Sequence, residues 1–188
     1  MDPIRARRMR FPMGSAVLLC LLVWSVSASA ATYTVNSVND VNDGICNTSH
    51  CSLREAIRAV NNTTGTHTIN FEQPFGVAIG DFIIMPGSEL PAITRDNVTI
   101  DGFDCLGCGP TGGNSGGIFS SGTSAQLAVA IDGSWIIASG NADEALLTLD
   151  GADISLSGIN LRNGPANCVT VTANAGDAGF DDCFIGTD

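Results

Sequence analysis

Leu53, Ala56, Ile57 and Val60 fall at i, i+3, i+4 and i+7, a spacing that gathers all four on one face of a three-turn helix. Ser52 and Glu55 open that helix in the Ser-x-x-Glu spacing of a capping box, where each side chain bonds the other's backbone N–H. Asn61 and Asn62 stop it. A helix is therefore expected over 52–62, with Leu53, Ile57 and Val60 buried and Arg54 and Arg58 facing water. Beyond residue 66 the period shortens: brief β-branched runs alternate with Gly, Asn and Asp. Strands are expected at Thr68–Phe71, Phe82–Met85, Val98–Ile100, Leu127–Ile131, Leu146–Leu149, Ile154–Leu156, Ile159–Leu161, Val169–Thr172 and Phe184–Ile185.

Three of these runs end in an apolar residue followed by Asp-Gly: Ile100-Asp101-Gly102, Ile131-Asp132-Gly133 and Leu149-Asp150-Gly151. Their spacings of 31 and 18 residues bracket a solenoid coil of ~20 to 30 residues. The Gly-rich stretch from Gly107 to Gly122 then reads as a loop protruding from one coil. Asp-Gly between apolar runs is equally the mark of a two-residue hairpin, which would build an antiparallel β-sandwich. The residues leave both all-β folds open.

The first 30 residues read as a secretory signal rather than as part of the fold. Arg5, Arg7, Arg8 and Arg10 precede an apolar run from Ala16 to Trp24, and Ala28-Ser29-Ala30 forms an A-x-A cleavage site. The apolar run is well short of the ~20 residues a spanning helix needs. Four of the eight basic residues and one of the nineteen acids lie in this leader. The remainder keeps four arginines, no lysine and 18 acids, a net charge of −14 against −11 for the whole chain. Such a surface repels phosphate backbones, which excludes nucleic acid as a partner.

Six cysteines follow the leader: Cys46, Cys51, Cys105, Cys108, Cys168 and Cys183. An even count behind an export signal reads as disulfides in an oxidising compartment. The pairs nearest in sequence are 46 with 51, 105 with 108, and 168 with 183, among 15 possible connectivities. Cys105 and Cys108 also have C-x-x-C spacing. Their Gly-rich surroundings, and the lack of a second such pair, favour a structural disulfide over zinc or redox chemistry.

Cys51-Ser52-Leu53-Arg54-Glu55-Ala56-Ile57, preceded by Thr32-Tyr33-Thr34-Val35-Asn36-Ser37 and Asp43-Gly44-Ile45-Cys46, resembles the N-terminal region of bacterial CSLREA-domain proteins. The resemblance covers roughly residues 32 to 62. It implies a secreted or surface-located protein whose body is the right-handed parallel β-helix of the pectin-lyase-like superfamily. On that reading residues 31–65 form an N-terminal cap of a strand, a cysteine loop and the helix. Residues 66–188 form coils that relatives continue, so a truncated C-terminus is expected. The amphipathic helix then closes the open end of the solenoid, as solenoids require for solubility.

The chemistry of that superfamily is sought in vain among these residues. Its lyases use carboxylate-bound calcium with a positioned Arg or Lys, and the body holds only Arg95 and Arg162. Its hydrolases need converging carboxylates, yet Asp181 and Asp182 are neighbours that a strand points to opposite faces. His50 and His67 sit near the cap, and His50 reads as a solvated loop residue. Calcium at Asp101, Asp104, Asp132, Asp150 and Asp153 is the one cofactor left open; Asp-Gly turns need no metal, and none is assigned. Asn47, Asn61, Asn62 and Asn97 head N-x-Ser/Thr sequons, which matter only in a eukaryotic secretory pathway. No catalytic residue and no metal ligand is assigned. The expected function is non-catalytic adhesion or glycan contact at the cell surface, with surface glycans or proteins as partners. The rival is part of a polysaccharide lyase or glycoside hydrolase whose catalytic coils lie downstream.

Overall fold

The computed structural model describes residues 29–74, 82–106, 108, 127–140 and 143–187. The leader up to residue 28, and all of the Gly107–Gly122 stretch except Cys108, lie outside them. Eleven strands and two helices are defined: β1 (Ala31–Val35), α1 (Leu53–Asn62), β2 (His67–Glu72), β3 (Phe82–Ile84), β4 (Val98–Leu106), β5 (Val129–Asp132), α2 (Ser134–Ala138), β6 (Ala145–Leu149), β7 (Ile154–Ser157), β8 (Ile159–Arg162), β9 (Asn167–Val171), β10 (Ala178–Asp181) and β11 (Phe184–Thr187).

The protein is all-β in character, and every ladder among the described residues is parallel. A first sheet runs β1-β2-β4-β7-β10, a second β11-β8-β5-β3, and a third pairs β6 with β9. Ile93 bridges Leu149 at the edge of the third. From β2 onward the chain therefore visits first, second and third sheet in unbroken rotation. The offset between register partners is 31 residues from β2 to β4, 56 from β4 to β7 and 24 from β7 to β10.

Parallel register stacks like on like. Tyr33, Ile69, Ile100, Leu156 and Phe180 align across the first sheet. Ile84, Ile131, Leu161 and Ile185 align across the second. These ladders meet in one core, completed by Phe71 and Phe82 edge to face at 5.7 Å. The same ladders emerge at the final strands, where Phe180 is 41%, Ile185 46% and Val171 47% exposed. Their register partners Leu156, Leu161 and Leu149 are fully buried.

The antiparallel sandwich that Asp-Gly also permits does not form, because none of the three sites is a hairpin. Asp101-Gly102 lies inside β4, Asp132-Gly133 leads from β5 into α2, and Asp150-Gly151 follows β6. Nor do they mark one repeat, since they stand on three different sheets and Asp101 registers with Ser157. What they share is crowding. A Cβ on Gly102 would lie 2.4 Å from the carbonyl oxygen of Gly158; on Gly133, 2.3 Å from that of Asn163; on Gly151, 2.3 Å from that of Arg95. Each glycine lets the backbone of a neighbouring turn pass where any side chain would stand.

Ser52 is the N-cap of α1, and its side chain and that of Glu55 complete the reciprocal capping box. The helix packs against β1 and β2 and adds Leu53, Ala56, Ile57 and Val60 to the core. Arg58 faces water, but Arg54 does not. Its guanidinium grips Asp40 with Nε to Oδ1 at 2.9 Å and Nη2 to Oδ2 at 2.8 Å, and also donates to the Ser88 and Glu89 carbonyls. Asn61 ties the other end of α1 to the 92–94 segment, donating to the Ala92 carbonyl and accepting from Thr94 N–H.

Candidate functional site

The outward side chains of the first sheet form two polar ranks. Strand alternation sends Ile69, Ile100 and Leu156 inward, so the residues on either side of each point out. Register then aligns Thr32, Thr68, Thr99 and Ser155 in one rank, ending at Gly179. The second holds Thr34 beside Asn70 and Asp101 beside Ser157 and Asp181. Residues within a rank are about 4.8 Å apart and the ranks roughly 6.6 Å apart, set by strand spacing and rise. Ser155 and Thr99 hydroxyls share a hydrogen bond at 3.2 Å, Ser157 donates to Asp101 at 3.1 Å, and Asn70 donates to Asp104 at 2.9 Å.

Two open grooves of about 300 and 390 Å³ continue this face past the ends of β1 and β2, and both are lined by Asn36, Thr48 and Glu72. Asn36 holds the loop above them, donating to the Asn47 and Thr48 carbonyls and accepting from Cys51 N–H. The result is a strip of hydroxyls, amides and single carboxylates at fixed spacing. Such a strip can exchange hydrogen bonds with a polyhydroxylated ligand along its length.

Among the described residues the most strongly perturbed carboxylate lies on the second sheet. Asp132 is 6% exposed. Burial pushes its carboxyl up, but hydrogen bonds from the Ser134 hydroxyl and N–H, from Asn163 and from Arg162 outweigh that and hold it at about 2. Asp150 is also lowered, by the Thr172 hydroxyl first and then by Asn174. Asp101 accepts from the N–H groups of Phe103 and Asp104. Asp153 occupies a left-handed turn position. Of the five aspartates considered for calcium, Asp101 and Asp104 lie within β4, Asp132 ends β5, and Asp150 and Asp153 share the turn between β6 and β7.

Both body arginines are tied to the fold. Arg162 is bound to Asp132, and Arg95 donates from Nη2 to the Asn61 carbonyl. Cys46 is bonded to Cys51, and Cys105 to Cys108. Cys168 and Cys183 are half-buried free thiols. Cys183 Sγ lies 3.4 Å from the Leu156 carbonyl oxygen, and burial pushes its thiol up. No described helix is long and apolar enough to cross a membrane. His50 is not a solvated loop residue: its ring lies against Glu55 and Asp43 and hydrogen-bonds Asn39. The Asn-Asp-Val-Asn-Asp-Gly run at 39–44 supplies these partners, a turn-rich string that carries no motif.

No family model, curated protein or solved structure matches this chain.

Proposed function

We propose that the protein is the helix-capped N-terminal part of an exported, right-handed parallel β-helix that binds glycans at or outside the cell surface and performs no catalysis itself. The observation that carries this reading is the polar rank of Thr32, Thr68, Thr99 and Ser155 on the first sheet, flanked by the pairs Thr34–Asn70 and Asp101–Ser157 on either side of the register shift between β2 and β4. A sugar chain presents hydroxyls along an extended line, and a flat strip of fixed donors and acceptors matches that need without large rearrangement. The acidic balance disfavours anionic polymers, so the ligand class is a neutral polysaccharide.

Supporting the β-helix are the unbroken rotation through three parallel sheets and the apolar ladders that register produces. A right-handed sense accords with the general preference for parallel crossovers. The position of α1 over β1 and β2 supports its role as an end cap. Export is supported by the leader pattern of residues 1–30 and by two disulfides, which persist in oxidising compartments.

Affinity electrophoresis through gels containing neutral polysaccharides tests the binding. The chain is expected to be retarded in at least one, and Thr68→Val with Thr99→Val to weaken retention roughly tenfold while leaving the melting temperature nearly unchanged. Unaltered retention in the double variant rules out the face. N-terminal sequencing of the exported product is expected to begin at Ala31.

A further inference from the structure

Glu55 is fully buried, and its carboxylate is divided between two tasks. Oε1 accepts Asp43 N–H at 2.6 Å and Gly44 N–H at 3.3 Å, while Oε2 accepts Ser52 N–H at 2.9 Å and faces His50. The Ser52 hydroxyl lies 2.7 Å from the Val41 carbonyl and 3.3 Å from Oε2; its single proton goes to the nearer acceptor, which leaves an Oε2 lone pair for a further partner. His50 is oriented from its far side. Nε2 lies 3.1 Å from Asn39 Oδ1, an atom that also accepts Val41 N–H at 3.1 Å and is thereby fixed as oxygen. Nε2 must carry the proton in that bond. In the neutral ring Nδ1 is then a bare lone pair.

That lone pair points at acceptors only. Nδ1 is 3.0 Å from Glu55 Oε2 and 3.7 Å from Asp43 Oδ2, shut off from solvent and without a hydrogen bond. Asp43 Oδ1 meanwhile accepts Ile45 N–H at 3.0 Å, which turns Oδ2 inward. Three electron-rich atoms, one nitrogen and two oxygens, all lie within 4.8 Å of one another. Each ligand's other polar atom is held by a hydrogen bond, the arrangement that orients metal ligands.

We propose that Asp43, His50 and Glu55 form a zinc site that latches the Cys46–Cys51 loop to the start of α1. Zn–N and Zn–O bonds of about 2.05 Å give a tetrahedral edge of about 3.3 Å, midway between the two separations observed from Nδ1. An imidazole nitrogen excludes calcium, which takes six to eight oxygens at longer distance. Asp43 is half-exposed, so the fourth position opens to water. The Cys46–Cys51 disulfide closes the loop that carries His50, which keeps the ligand in place before metal arrives.

The test uses the oxidised chain without an affinity tag. Calorimetric titration with zinc chloride at pH 7.5 is expected to show one equivalent bound and a melting temperature raised by roughly 5 °C, reversed by chelator. His50→Gln, which retains a donor for Asn39, is expected to abolish binding and the shift; Asp43→Asn is expected to weaken binding at least about tenfold. His67→Gln is expected to bind like the parent chain. Glu55 is left intact because it caps the helix. No stoichiometric zinc, equal binding by His50→Gln, or stronger binding of calcium than of zinc would each overturn the site. If His50 is instead a plain imidazolium paired with Glu55, no stoichiometric zinc is bound and the melting temperature stays unmoved, which is the first of these outcomes.

Discussion

Arg162 donates from Nε to Oδ2 of Asp132 at 2.8 Å, and the two residues are register partners on the adjacent parallel strands β8 and β5. Asn163 reaches the same carboxylate from the following position, and Ser134 from the start of α2. One aspartate thus joins two successive turns of the chain and the short helix after the first. An arginine that could have faced a substrate is a tie between turns instead.

Asp132→Asn is expected to cost about 2 kcal/mol at neutral pH, since it removes the charge that Arg162 was placed to meet. The pH dependence has a definite sign. A carboxyl lowered from 3.8 to about 2 stabilises the fold above its unfolded value, and this contribution is lost as pH falls through about 2. Urea unfolding of parent and variant should therefore converge as pH drops from 4 toward 2. A deficit of equal size at pH 7 and pH 2.5 contradicts the assignment.

Gly133→Ala is expected to destabilise by about 1–3 kcal/mol, because the new Cβ meets the Asn163 carbonyl at 2.3 Å and backbone must move. Gly176→Ala is its control. There a Cβ would rest 3.4 Å from Ala152 Cβ, so the change is expected within ~0.5 kcal/mol of neutral. Equal losses in the two variants would mean that close approach does not set the cost, since the entropy term of replacing glycine by itself favours alanine.

Arg54→Ala is expected to cost about 3 kcal/mol, leaving Asp40 without its partner and the Ser88 and Glu89 carbonyls without theirs. Arg54→Lys should recover less than half, since an ammonium cannot reproduce the two-pronged grip on Asp40. Thermal melts read both. A lysine variant as stable as the parent would reduce the pair to simple charge attraction.

Denaturation of the chain without its leader, in the absence of reductant, followed by thiol titration, is expected to find two thiols, with peptide mapping showing Cys46 joined to Cys51 and Cys105 to Cys108. In the folded protein Cys183 should react slowly, because burial keeps its thiol protonated and the thiolate is the nucleophile. Zero thiols on denaturation would restore a Cys168–Cys183 bond.

Local patterns were legible because their causes are local. The 3.6-residue apolar stripe and the Ser52–Glu55 spacing locate α1 to within a residue. The β-branched runs locate strands from β2 to β9, together with β11. β10 escaped notice because Ala178-Gly179-Phe180-Asp181 has a single bulky apolar residue. α2 did too, since Ser134-Trp135-Ile136-Ile137 has strand-like residues and takes its helical turn from the Asp132 side chain. The polar ranks are faintly visible as Thr-x-Thr, Thr-x-Asn, Thr-x-Asp and Ser-x-Ser, but only register lines them up.

By itself the sequence determined where the chain bends, which residues seek the core and where the helix begins, because each depends on neighbours within a few positions. Whether Asp-Gly would make hairpins or parallel corners was a different kind of question. It was decided by carbonyls 30 to 60 residues away in sequence, Asn163 at Gly133, Gly158 at Gly102 and Arg95 at Gly151, which occupy the space of a missing side chain. The same holds for Arg162 and for the Ser88 and Glu89 contacts of Arg54. Their charge and hydrogen-bonding capacity are written in the sequence, but these partners come within about 3 Å only when distant segments pack together.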